Sequence, residues 1–341
     1  MTGIRVEFRE RPDNGETKAV AEGVTWLRMP LPWRLGHINL WLLRNGRDCV
    51  IVDTGIGADT CRHAWDKVLA DDLQDVNVSD VVVTHMHPDH AGCAGWLVDR
   101  LDAKFWMTRE EYLMCRVLMT DTNSNVPEVA LRFYHAAGFS EDQLATFTAN
   151  FGMFGKFVSD MPRAYSRLRD RDRSGFDGGA WEVLIGRGHS PEHACLFDAE
   201  RNVLIAGDQL LPTISPNVSV WPTEPQANPL GDFFDSIEML EARLPEDVLV
   251  LPAHGSPFRG AHFRLQALRK EHEDKLSVLL DNGGNPRRAV DTFEDLFGRA
   301  IDDGNRVMAT GEALAHLHYL SLIHISEPTR LRLKSRMPSS A

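Results

Sequence analysis

The chain has 341 residues, 43% hydrophobic and 25% charged, a globular balance that excludes disorder and fibrous repeats. No run of about 18 apolar residues occurs, so no membrane span is expected, and the formal charge of −12 disfavours a general nucleic-acid binder. The charged N-terminus, MTGIRVEFRERPDNGE, lacks an apolar core, and the five cysteines form no CxxC pair; both point to a cytoplasmic protein with buried free thiols.

In chain order, short β-rich runs come first: VTWLRM (24–29), INLWLL (38–43) and CVIVDTG (49–55), separated by Pro or Asn-Gly. Helical spacing follows over 59–73, then the continuous apolar run VSDVVVTH (78–85), which reads as a buried strand. A helix beginning near Asp89 and a short strand, KFWMT (104–108), complete the first half. From Arg109 to about Arg173 the pattern turns helical and rich in aromatic and Met residues. Strands return at 181–186, 194–199 and 203–208, then a helix over 229–244 and the strand VLVLPAHG (248–255). Two β-rich halves flanked by helices imply an α/β fold of four αββα layers. A long helix over 260–282 leads to a small helical module over 285–320.

The chemistry gathers at strand ends. Thr84-His85-Met86-His87-Pro88-Asp89-His90 packs four potential metal ligands into six residues between a buried strand and a helix. A loop leaving a strand can aim His85, His87, Asp89 and His90 at one point, whereas a helix would fan them out. Imidazole and carboxylate suit zinc and similar metals. Helix capping would account for one polar residue there, but not for four. His189, Asp208 and His254 each follow another apolar strand, where open sheets collect their ligands. Gly188, Gly207 and Gly255 beside them allow tight turns.

The set His85, His87, Asp89, His90, His189, Asp208 and His254 resembles the metallo-β-lactamase-fold hydrolases over about residues 20–260. The resemblance implies two metal ions, zinc in the first instance with iron or manganese as alternatives. His85, His87 and His189 would hold one, Asp89, His90 and His254 the other, with Asp208 bridging a shared hydroxide. It makes Asp89 a catalytic residue that orients the nucleophile or relays a proton. Asp53, in VDTG, is expected to support the ligand loop from behind. His193 reads as a supporting residue rather than a ligand, because the set is already full.

The bridging Asp208 and the absent export signal favour the glyoxalase II-like and lactonase-like branch over antibiotic hydrolysis. The expected activity is therefore hydrolysis of a thioester, ester or lactone, such as an acyl-glutathione or acyl-CoA. The alternatives are a phosphodiesterase or ribonuclease, a mono-iron persulfide dioxygenase, and a metal-stabilised binding module. A small-molecule substrate is the expected partner, with no nucleic acid or membrane, and a homo-oligomer is left open.

Residues 1–260 are expected to form the catalytic domain with a helical insert at about 109–180, which reads either as a lid over the metals or as plain core. The arginines between 163 and 173, interleaved with Asp170 and Asp172, read as a solvated face or as a grip on a carboxylate or phosphate. Residues 261–320 resemble a linker helix and a truncated winged-helix-like module, which would expose Leu314, Leu317 and Leu320. Residues 321–341 carry +3, leaving −15 on 1–320, and break the helical pattern. They resemble a non-native or disordered tail, with the native C-terminus missing.

Overall fold

The computed structural model describes residues 3–283 and 286–326. The first half contains β1 (Arg5–Val6), β2 (Thr17–Ala21), β3 (Val24–Pro30), β4 (His37–Asn45), β5 (Asp48–Val52), α1 (Asp59–Asp71), β6 (Asn77–Val82), α2 (Pro88–Ala91), α3 (Ala94–Leu101) and β7 (Lys104–Met107). The insert contributes α4 (Arg109–Thr120), α5 (Glu128–Ala137), α6 (Glu141–Ala149), β8 (Ser166–Arg167) and β9 (Arg173–Ser174). Then come β10 (Trp181–Gly186), β11 (His193–Asp198), β12 (Val203–Gly207), α7 (Pro229–Arg243), β13 (Leu249–Pro252) and β14 (Phe258–Arg259). The chain continues through α8 (Ala261–Asp281), α9 (Phe293–Phe297) and α10 (Arg306–Ser326).

Two seven-stranded sheets result, ordered β2-β3-β4-β5-β6-β7-β8 and β1-β14-β13-β12-β11-β10-β9. Alternation along the central strands explains the layering. In β3, Val24 and Trp26 face the opposite sheet, while Leu27 and Met29 face the helices α1, α3 and α4. The second sheet buries Leu204 and Val250 against α7 and α8, and Ile205 and Leu251 against the first sheet. This is the expected αββα sandwich. No described helix is long and apolar enough to cross a membrane.

The structure corrects two expectations and bears on a third, left open between lid and core. The insert is α-helical only as far as Ala149; Gly152, Gly155, Pro162 and Gly175 punctuate its remainder, which holds turns, two single 3-10 turns and the short strands β8 and β9. Its aromatic residues pack as core or partly buried side chains: Tyr134 and Phe139 are buried in one ring cluster, Phe154 and Phe157 are partly buried against the first-sheet core, and α5 packs Ala137 and Phe133 toward the C-terminal module. That module is not left open. Leu320 is buried, and Leu314 and Leu317 pack against the cluster that joins α7, α8 and α10.

The helical pattern also runs past residue 320, because α10 extends to Ser326. Residues 321–326 contain no Gly or Pro, and the next proline is Pro328. Residues 327–341 of the expected tail lie outside the described residues. Among the described residues no strand follows β14, so the helices there show no wing.

Candidate metal centre

Strands of both sheets end at one place. The loop after β6 carries His85 and His87, and Pro88 opens α2, which presents Asp89 and His90. From the other sheet, His189 follows β10, Asp208 follows β12 and His254 follows β13. The structure gathers all seven side chains. The ligand atoms of His85, His87, His189 and Asp208 lie within 4.8 Å of one another, and so do those of Asp89, His90 and His254.

Asp208 faces both groups. Its Oδ2 stands 3.5 Å from His189 Nε2, while its Oδ1 stands 3.6 Å from His90 Nε2 and 3.5 Å from His254 Nε2. Asp89 Oδ2 is 3.3 Å from His254 Nε2, and His85 Nε2 is 2.9 Å from His87 Nδ1. His90 Nε2, His189 Nε2 and Asp208 Oδ1 are buried and make no hydrogen bond. A buried polar atom without a partner costs about 1–3 kcal/mol. Three such atoms, two imidazole nitrogens on either side of one carboxylate, are donors that divalent cations satisfy, so the residues fit the metal.

The electrostatics agree. Burial and the neighbouring imidazoles push His85 well below its ordinary value, and His87 is lowered to about 3. Both are thus neutral, the form with a lone pair to give. Burial also opposes charge on His90 and His254, yet the surrounding carboxylates outweigh it and raise both. Burial works against charge on Asp89 and Asp208 as well, and the histidines still hold both carboxylates below their usual range. Carboxylates that draw this strongly on protons draw a divalent cation in the same way, and the cation replaces the proton.

Buried hydrogen bonds brace each loop. Asp53, in left-handed backbone (φ 62°) at the end of β5, accepts from Thr84 N at 2.8 Å and pairs with His90 Nδ1 at 2.8 Å. His193 is not one of the seven. Its Nε2 accepts from Asp208 N at 3.1 Å, and its ring stacks on His85 at 4.6 Å between centroids. That ring fits only because residue 207 is glycine, where a Cβ would stand 2.5 Å from His193 Cε1.

Three bracing residues had not been singled out from the sequence. Glu111, in the first turn of α4, accepts from Met86 N at 2.9 Å, Ser190 Oγ at 2.6 Å and Glu192 N at 2.8 Å, tying two ligand loops together. Asn39 donates to the carbonyls of Pro252 and Gly255, each at 2.8 Å, and so holds the His254 loop. The Asn217 carbonyl accepts from His189 Nδ1 at 2.8 Å. Asn39 left one trace, a polar residue inside the apolar run INLWLL; the other two left none.

Glu192 also accepts from Glu110 N at 3.0 Å and so caps α4. Arg167 and Arg187 approach the same carboxylate at 3.9 Å. A groove of about 680 Å³ lies at the far ends of β5–β7, lined by Lys104, Arg167, Arg169 and Arg173 together with Asp80 and Asp172; none of the seven residues borders it.

The sequence profile described as the metallo-beta-lactamase superfamily matches residues 33–254, and one described as the metallo-beta-lactamase-like C-terminal domain matches 276–325. The chain is 24% identical over 316 residues to a probable metallo-hydrolase, YqjP, of Bacillus subtilis, covering 88% of this chain and 92% of that protein. It is 22% identical to the human acyl-coenzyme A thioesterase MBLAC2, covering 76% and 88%. A crystal structure of a beta-lactamase domain protein from Burkholderia ambifaria superposes with a TM-score of 0.85 at 37% identity, covering 94% of this chain and 93% of that one.

Proposed function

The chain belongs to the metallo-beta-lactamase superfamily, and from that premise we propose that it is a metal-dependent hydrolase of thioesters or related esters, taking an acyl-glutathione, an acyl-CoA or a lactone. The observation that carries this reading is Asp208, one carboxylate facing both donor groups at 3.5 to 3.6 Å. The thioesterase named among the relatives supports the substrate class.

In this reading His85, His87 and His189 would hold one divalent ion and Asp89, His90 and His254 a second, with Asp208 offering an oxygen to each group. Bound divalent ions supply Lewis acidity, which polarises a carbonyl oxygen and acidifies water. The chain does the rest. Asp53 and Thr84 fix the tautomers of His90 and His85, so that each turns Nε2 inward. Asp89, held ionised, is the catalytic residue that accepts the proton of the attacking water and orients it. Burial of the surrounding side chains keeps the site at low dielectric, where these interactions are strongest.

The test is turnover on a panel of acyl-CoA, acyl-glutathione and lactone substrates, with a phosphodiester and a persulfide alongside. His87→Ala and Asp208→Ala are each expected to lower kcat by about 10²-fold or more, the scale of losing a catalytic electrostatic contact, while the circular-dichroism spectrum is retained. Full activity in either variant overturns the assignment. Turnover of the phosphodiester or the persulfide alone replaces the substrate class.

A further inference from the structure

The chain around Asn217 belongs to the metal centre on one side and to the C-terminal helices on the other. Its carbonyl accepts from His189 Nδ1 at 2.8 Å, which leaves the proton there and the Nε2 lone pair facing Asp208. The Asn217 side chain is pinned at both ends. Its Oδ1 accepts from Ser219 Oγ at 2.6 Å, and its Nδ2 donates to Glu312 Oε2 on α10 at 3.3 Å. The other Glu312 oxygen accepts from Lys275 Nζ of α8 at 2.9 Å.

The backbone continues the same attachment. Val220 N donates to Gly311 O at 3.1 Å, and Ser219 Oγ lies 3.2 Å from Met308 O. A glycine inside a helix costs about 0.5–1 kcal/mol relative to alanine. At position 311 it permits contact, because a Cβ there would stand 2.7 Å from Ser219 Cβ and Oγ. Residues 217–220 belong to neither sheet, and hydrogen bonds to α10 hold both their backbone and their side chains.

We infer that the C-terminal helices are a positioning element of the metal centre, in which Glu312 and Gly311 hold residues 217–220 and thereby fix the tautomer and aim of His189. This rests on the metal-centre reading above. Partners that fix a ligating histidine typically change metal affinity about 10–100-fold when removed. Glu312 touches no ligand and no substrate; it acts through Asn217.

The experiment is competition for Zn²⁺ between a chromogenic chelator and the full chain, with thermal unfolding of the metal-free protein recorded in parallel. Glu312→Ala and Gly311→Ala are each expected to weaken one of the bound ions about tenfold or more. Glu312→Gln keeps an acceptor for Asn217 Nδ2 and is expected to hold zinc nearly as the parent does. Leu296→Ala, which loosens the buried α9 contact away from Asn217, should lower the melting temperature and leave zinc affinity alone. Parental affinity in both Ala variants overturns the inference. So does an equal loss in Leu296→Ala, because the effect would then be general loosening. If the parent chain itself holds no zinc, the metal-centre reading fails instead, and the two failures are thereby distinguished.

Discussion

A neutral imidazole offers one lone pair, and at four of the cluster's five histidines a neighbour decides which nitrogen offers it. Thr84 Oγ1 sits 3.1 Å from His85 Nδ1, Asp53 pairs with His90 Nδ1, and the carbonyls of Asn217 and His37 accept from His189 and His254. Asp53→Asn tests this directly. The residue keeps its volume, and Thr84 N still requires the oxygen that now accepts it at 2.8 Å. The amide NH₂ must therefore turn toward His90, donate to Nδ1 and send the imidazole proton to Nε2, where it blocks ligation. Zinc affinity should fall about 10–100-fold with the fold retained; chelator competition showing parental affinity would refute the tautomer argument. The seven clustered residues were legible because each lies within eight residues after the end of an apolar strand. Glu111, Asn39 and Asn217 were not, because their partners lie tens to hundreds of positions away and no local pattern announces such a bond.

Helix α8 meets α10 through a pair of buried histidines. His316 Nδ1 donates to Glu312 O at 2.8 Å, His272 Nδ1 donates to His316 Nε2 at 3.1 Å, and Ser215 Oγ approaches His272 Nε2 at 3.5 Å. His272, Glu312 and His316 also bring ligand atoms within 4.8 Å of one another, but each imidazole nitrogen there already has a partner and Lys275 holds the carboxylate. The pair is therefore neutral. Burial, then the neighbouring His316 and Lys275, lowers His272 to about 2, and burial lowers His316 despite the pull of Glu312 and Glu271. A histidine lowered on folding takes up protons first in the unfolded chain. Its contribution is present above the unfolded value near 6.5 and is lost as pH falls below it. Unfolding of the metal-free chain should lose up to about 1.4 kcal/mol per pH unit through this one group below pH 6. His272→Gln should show a shallower slope; an identical slope in both proteins would refute the assignment. The central strands were legible as apolar runs because both their faces are buried. The edge strands β1, β2, β8 and β9, and β14 next to β1, are only two to five residues long and partly exposed, so they carry no such run. The strands expected at 49–55 and 78–85 stop at Val52 and Val82, because the residues beyond turn away to form the site.

Across the whole molecule, the cluster is where the two halves of the chain are fastened. His85, His87, Asp89 and His90 come from the first sheet, His189, Asp208 and His254 from the second, and the C-terminal helices reach it through Asn217. Without a cation, the histidines hold both buried carboxylates below their usual range, and the carboxylates in turn raise His90 and His254. A divalent ion binds the folded arrangement and has no comparable site in the unfolded chain. Its contribution to stability is therefore RT ln(1 + [M]/Kd), about 2.7 kcal/mol at a hundredfold excess over Kd and about 4 at a thousandfold. Removing metal with a chelator should lower the melting temperature by several degrees, and hydrogen exchange should rise at residues 84–90, 188–193 and 207–208 together. Re-addition of zinc should restore both, with two ions per chain by elemental analysis. Exchange rising in only one sheet's loops would mean that the metals do not join the halves. One iron per chain in place of two zinc ions would turn the chemistry from hydrolysis toward persulfide oxidation while leaving this fastening role intact, because His and Asp donors serve either metal.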